Sequence, residues 1–118
     1  MNQRSTVDRI CHALETSANP VTRNYVETSR LASVLEFLAL ELGGPDMNHY
    51  LSSAYRYRGI VAFELCRYDA ALELFSRALE RERSAVNLAH MKDVVAKLGD
   101  SMPNELPIEV VDVEKIVH

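Results

Sequence analysis

Residues that stop a helix are scarce in this chain and arrive in clusters, and that punctuation constrains the fold more than any other feature of it. Four glycines and four prolines occur in 118 residues. Pro20 closes a first segment, Gly43-Gly44-Pro45 a second, and Gly99 with Pro103 and Pro107 a last one. Between these breaks apolar residues return every three or four positions, the period of one helix face. No stretch before Gly99 alternates as a strand does. The pattern predicts an all-α chain.

Five helices are expected. The first covers residues 6–16, with Ser5 as its cap, Asp8 three residues on, and Val7, Ile10, Cys11 and Leu14 as its apolar stripe. The second covers 22–42 and carries Leu31, Val34, Leu35, Leu38 and Leu42 on one face. Phe37 and Leu40 widen that face, so this helix is expected to pack on two sides. The third covers 47–66 with Asp46 as cap, and the fourth covers 68–82. The fifth covers 84–98, with Leu88, Met91, Val95 and Leu98 in register and Gly99 placed to end it. Short connections make neighbours antiparallel. The expected organisation is one helical domain at 1–99 and an extended tail at 100–118, "DSMPNELPIEVVDVEKIVH". The tail reads as a linker, as a segment lying in a groove of its own domain, or as an edge that pairs with a partner's sheet.

Hydrophobic residues make up 47% and charged residues 25%, which suits one small globular domain. A net charge of −4 argues against a protein built to hold a polyphosphate backbone. Cys11 and Cys66 are distant and neither belongs to a C-x-x-C pair, which removes zinc-ribbon and thioredoxin-like readings. No signal peptide is recognised, so a cytoplasmic, reducing setting with two free and packed thiols is expected. The longest apolar stretch, 31–42, is interrupted by Ser33, Glu36 and Glu41, too short and too charged for a bilayer span.

Residues 54–82 read "AYRYRGIVAFELCRYDAALELFSRALERE". Tyrosine and arginine alternate at its start, as in a stacking surface for nucleic acid. On a helix the strip comes apart, because Arg56 and Arg58 diverge by roughly 200° around the axis. Stacking platforms need aromatic rings converging on one surface with basic residues beside them. Nucleic-acid binding is therefore the weaker reading.

Tyr55, Gly59, Tyr68, Ala71, Phe75, Ala78 and Leu79 fall at the offsets of a helical hairpin of about 34 residues, and the segment resembles the tetratricopeptide repeat over about residues 52–83. Arg58, Ala62, Cys66 and Arg83 depart from that pattern, standing where it prefers leucine, an aromatic, glycine and proline. The resemblance implies a short right-handed array of antiparallel helices, with the fifth as a capping helix. Small side chains, Gly59 and Ala71 among them, sit where helices approach closely, and Tyr55, Tyr68 and Phe75 fill the space opposite. It also implies a binding module without chemistry of its own. Mapped onto this chain, Ser53, Arg56, Ile60, Phe63 and Glu64 turn towards a groove for an extended peptide or a partner helix. Arg56 is placed to meet a carboxylate there, and Ile60 with Phe63 to give apolar contact. The groove is alternatively filled by the chain's own first helix or tail.

Catalytic patterns do not emerge. Cys11 and His12 are neighbours and point about 100° apart on a helix, poor geometry for a shared metal or a nucleophile with its base. The remaining histidines are His49, His90 and His118, and His90 is expected on a solvated side of the fifth helix. No metalloprotease, P-loop, nucleophile-elbow or dinucleotide-binding motif is present. Gly43-Gly44 reads as a turn. Glu73, Glu80 and Glu82 interleave with Arg77, Arg81 and Arg83 as a charged surface, with Glu73 and Arg77 in the favourable i, i+4 order. The expectation is a non-enzyme without metal or cofactor whose partner is a protein or peptide, not nucleic acid or a membrane interior. It would act as an adaptor, small chaperone or assembly factor, homo- and hetero-oligomers both remaining open. The alternative is a structural subunit held permanently in a larger complex.

Overall fold

The computed structural model describes residues 3–19 and 24–101. It is all-helical: α1 (Gln3–Ser17), α2 (Tyr25–Leu42), α3 (Met47–Glu64), α4 (Tyr68–Arg81) and α5 (Ala85–Ser101). No strand occurs among the described residues. Each helix packs on the next in sequence, and α3 also meets α5. The expected tail from residue 102 onward lies outside the described residues.

Local chemistry sets most of the boundaries. Asn24 accepts a hydrogen bond from the Glu27 N–H at 3.0 Å, a side-chain cap that starts α2 later than its apolar pattern suggests. Gly43 and Gly44 reverse the chain between α2 and α3 with φ of 60° and 74°, a region that side-chain-free residues enter without steric cost. Asp46 stands at the start of α3, but its side chain makes no cap hydrogen bond. Ser84 accepts from the Asn87 N–H at 3.1 Å and caps α5. Two expectations are corrected here. Ser5 lies inside α1, which begins at Gln3, and α5 runs through Gly99 to Ser101. A lone glycine in a helix costs about 1 kcal/mol relative to alanine, which packing of the flanking Leu98 outweighs.

The turn from α3 to α4 contains Cys66 at φ 61°, the left-handed region in a residue that carries a Cβ. The amides of Leu65, Cys66 and Arg67 donate back to the carbonyls of Val61, Phe63 and Ala62 at 3.0, 3.0 and 2.8 Å. Hydrogen bonding of the last helical carbonyls holds the strained position. Cys66 is also exposed, so the expectation of two packed thiols fails; both cysteines are free, and Cys11 is half-buried.

Two apolar clusters share α3. One joins Val7 and Leu14 of α1 to Leu31, Ala32, Leu35 and Ala39 of α2 and to Tyr50, Leu51, Ala54 and Tyr55 of α3. The other joins Ala62 of α3 to Ala71 and Phe75 of α4 and to Met91, Val94 and Leu98 of α5. Helix α3 is the centre of the array, and Tyr50 through Tyr55 are buried without interruption. Its early turns are packed on all sides, which a periodic pattern does not convey.

Helices α3 and α4 run antiparallel and very close. Asn48 and Arg81 meet at one end of the pair at 3.2 Å, and Phe63 and Tyr68 at the other with ring centroids 5.5 Å apart. Between these ends the Ser52 hydroxyl donates to the Ala78 carbonyl at 3.0 Å, a side chain reaching the opposing backbone. A Cβ at Gly59 would come within 2.6 Å of the Phe75 ring, so the glycine makes the seat in which that ring lies. Burying the ring contributes about 2–3 kcal/mol.

Helix α2 differs from expectation on its second side. Phe37 and Leu40 do not pack; they are exposed, together with Val26. The apolar period identified them as interior because both faces of α2 are apolar, while only one has a neighbour among the described residues.

Candidate functional site

Helix α3 meets both α1 and α5: Cys11 of α1 packs against the cluster that holds Ala54 and Tyr55, and Arg56 donates to Asn87 of α5. Between α3 and α5 a cleft of about 170 Å³ is lined by Ile60, Phe63, Glu64, Phe75, His90 and Asp93. Three of the five residues expected at a groove, Ile60, Phe63 and Glu64, are therefore brought together. They lie on one face of α3 because positions three and four apart are neighbours on a helix. Ile60 and Phe63 are partly buried against the second apolar cluster and present their remaining surface to the cleft.

The other two residues have different surroundings. Ser53 retains 6% of its surface and has almost nothing left to offer a ligand. Arg56 donates to the Asn87 Oδ1 at 3.3 Å and lies over the Tyr57 ring, 5.4 Å from its centroid. Part of its capacity is thus internal. The remainder of the tyrosine–arginine strip disperses in the same way: Tyr55 is buried, and Arg58 donates to Glu36 of α2 at 2.9 Å.

The residues expected to pack the hairpin have the following surroundings. Gly59 seats Phe75, Tyr68 meets Phe63, and Ala71 and Ala78 are fully buried. Leu79 packs against the second cluster, and Tyr55 fills the first.

The α5 side of the cleft was not legible beforehand. His90 was expected in solvent. Instead its imidazole stacks on Phe75, with centroids 4.9 Å apart and planes 11° apart. Burial and then the nearby Arg56 charge push its pKa below the ordinary histidine value, against a smaller opposite pull from Asp93. The ring consequently tends to remain neutral, a flat half-covered wall of the cleft. Asn87, fully buried, ties three elements together: its side-chain amide donates to the Ser52 hydroxyl at 2.7 Å and to the Glu82 carbonyl at 2.9 Å. Those bonds satisfy the end of α4 and fix the angle at which α5 leaves it. A signal for both existed. Asn87 and His90 lie 34 residues after Ser53 and Arg56, the period of the hairpin itself.

Chemically the cleft offers an apolar floor, a neutral imidazole and two carboxylates at its margin, Glu64 and Asp93. Among the described residues no group of three or more histidine, cysteine or acidic side chains is placed to hold a metal ion. No described helix is long and apolar enough to cross a membrane. No family model, curated protein or solved structure matches this chain.

Proposed function

We propose that this chain is a non-catalytic interaction module of the tetratricopeptide type, a cytoplasmic adaptor, small chaperone or assembly factor that holds a peptide or helix of a partner protein between α3 and α5. One observation carries the reading: Ile60, Phe63 and Glu64 converge with His90 and Asp93 on an open cleft floored by Phe75. Partly exposed apolar side chains flanked by carboxylates suit a segment with an apolar anchor beside a basic or amide-bearing residue. The buried Asn87 network holds the walls of this cleft in place, which lowers the ordering cost of binding.

Selection of peptides from a random display library on the folded chain tests the proposal. Selected peptides should lose about tenfold or more in affinity, about 1.4 kcal/mol, on Ile60→Lys or Asp93→Lys. They should also shift backbone resonances of α3 and α5. Peptides that bind those variants as well as wild type would remove the cleft from consideration.

A further inference from the structure

We infer that α2 is a self-association surface that pairs with a second copy of this chain, the two α2 helices running antiparallel. This proposal is independent of the cleft between α3 and α5.

Helix α2 has two apolar faces on opposite sides. Thr28, Leu31, Ala32, Leu35 and Ala39 are buried and face the core. Val26, Phe37 and Leu40 are exposed at 81%, 62% and 57%, the three most exposed large apolar side chains among the described residues. Phe37 and Leu40 lie within about 40° of Val26 around the axis, and so does Ser33. They form a straight stripe roughly 21 Å long. Exposed apolar surface aligned in this way, not scattered, marks an interaction site.

The composition of the stripe selects its occupant. Arg30 and Glu41 are both exposed and lie on the same flank of the stripe, about 40° and 60° from Val26. In an antiparallel pair of helices, residues on the same flank face each other across the seam. Arg30 of one copy then meets Glu41 of the other, twice by symmetry, around a centre midway between positions 35 and 36. The apolar residues give almost the same centre. The bulky Phe37 and the small Ser33 exchange places about position 35, so each ring enters the notch left by the serine of the partner copy. Two separate complementarities, charge to charge and large to small, converge on one two-fold axis. A foreign partner would impose no such symmetry, whereas an isologous dimer requires it.

Glu41 makes no ion pair or hydrogen bond among the described residues, and Arg30 is paired only within its own helix, with Glu27. On the other flank Glu36 is already held by Arg58. Val26, beyond the reach of the partner's helix, falls over its Gly44-Pro45 turn, which is exposed. A single helix pair of this length lies at the small end of specific interfaces, so the dimer should dissociate on dilution.

Sedimentation equilibrium of the full chain over a range of concentrations tests this directly. Wild type should rise from 13.3 kDa towards twice that mass. Arg30→Glu and Glu41→Arg place like charges opposite each other, and each variant alone should associate at least about tenfold more weakly. Mixed in equal amounts, the two variants should recover wild-type association, because each supplies the charge that the other lacks. Phe37→Ser should abolish association while circular dichroism stays unchanged. A wild type that remains monomeric at every concentration, single charge variants that dimerise normally, or a mixture without recovery would each overturn the proposal.

Discussion

Gly59→Ala is the most informative single substitution, because two well-understood effects act on it with opposite signs. In an isolated helix alanine replaces glycine with a gain of about 1 kcal/mol. Here the added Cβ would stand 2.6, 2.8 and 2.9 Å from three atoms of the Phe75 ring, all closer than real Cβ contacts. The ring has little freedom to withdraw. Its residue is 1% exposed, Ala71 of the same helix is completely buried, and His90 stacks on it. Overpacking of a tight core costs typically 1–3 kcal/mol, and the restraint on Phe75 places this case near about 3. Subtracting the propensity gain leaves a net loss of about 2 kcal/mol. For a domain of this size that corresponds to a fall in Tm of about 8 °C. Thermal unfolding followed by circular dichroism measures it, and a cycle with Phe75→Leu isolates the contact. The smaller side chain should cancel most of the penalty, giving a coupling energy above about 1 kcal/mol. If Gly59→Ala raises the Tm instead, propensity alone governs the position and α3 and α4 do not meet there.

Three further outcomes follow from the same geometry. Asn87→Ala should lower unfolding free energy in urea by about 1–2 kcal/mol, because it removes the bond to the buried Ser52 hydroxyl and one of two donors to the part-buried Glu82 carbonyl, which keeps the Ser84 N–H; a loss below about 0.5 kcal/mol would show that the network is dispensable. Cys66→Gly should stabilise the chain by up to about 1 kcal/mol, since the left-handed backbone at φ 61° costs a Cβ-bearing residue and suits glycine. Stability should fall as pH drops through about 6.5. His90 has a depressed folded-state pKa, so the unfolded chain takes up the proton first, and the stabilisation present at higher pH disappears as the folded value is passed. His90→Gln should flatten that part of the pH profile of the urea midpoint, and an unchanged profile would assign it to other groups.

Periodicity made the helices legible and left their surroundings ambiguous. Breaks at Gly43-Gly44 and the apolar stripes located five helices to within a few residues, because a helix edge is decided by its own sequence. Ser5 and Gly99 misled for the opposite reason: a cap residue or a glycine alters local stability by about 1 kcal/mol, less than packing contributes. The hairpin positions Gly59, Ala71 and Phe75 were readable because close approach leaves a size pattern, small opposite large. His90, Phe37 and Leu40 were not readable from one helix alone. His90 stacks because α4 presents Phe75 to it, and Phe37 is bare because no described helix lies across that side of α2. Burial belongs to pairs of elements, while hydrophobicity belongs to single residues.

The cleft follows from that distinction. Ser53, Arg56 and Ile60 fall on a common side of α3, yet a helix in the middle of an array meets different neighbours along its length. Near Ser53 the neighbours close in, and the side chain is buried. At Arg56 the amide of Asn87 takes part of the guanidinium. Past Ile60 the wall opposite, among the described residues, is α5, whose His90 and Asp93 line the open cleft. A groove inferred from repeat positions alone has equal depth throughout. On the proposed function, with Arg56 already engaged by Asn87 and Glu64 lining the cleft at the C-terminal end of α3, a bound segment enters from that end, and Glu64→Lys should reduce its association rate more than Arg56→Gln does. Equal effects of the two substitutions on the association rate, measured by stopped flow with a selected peptide, would place the opening elsewhere.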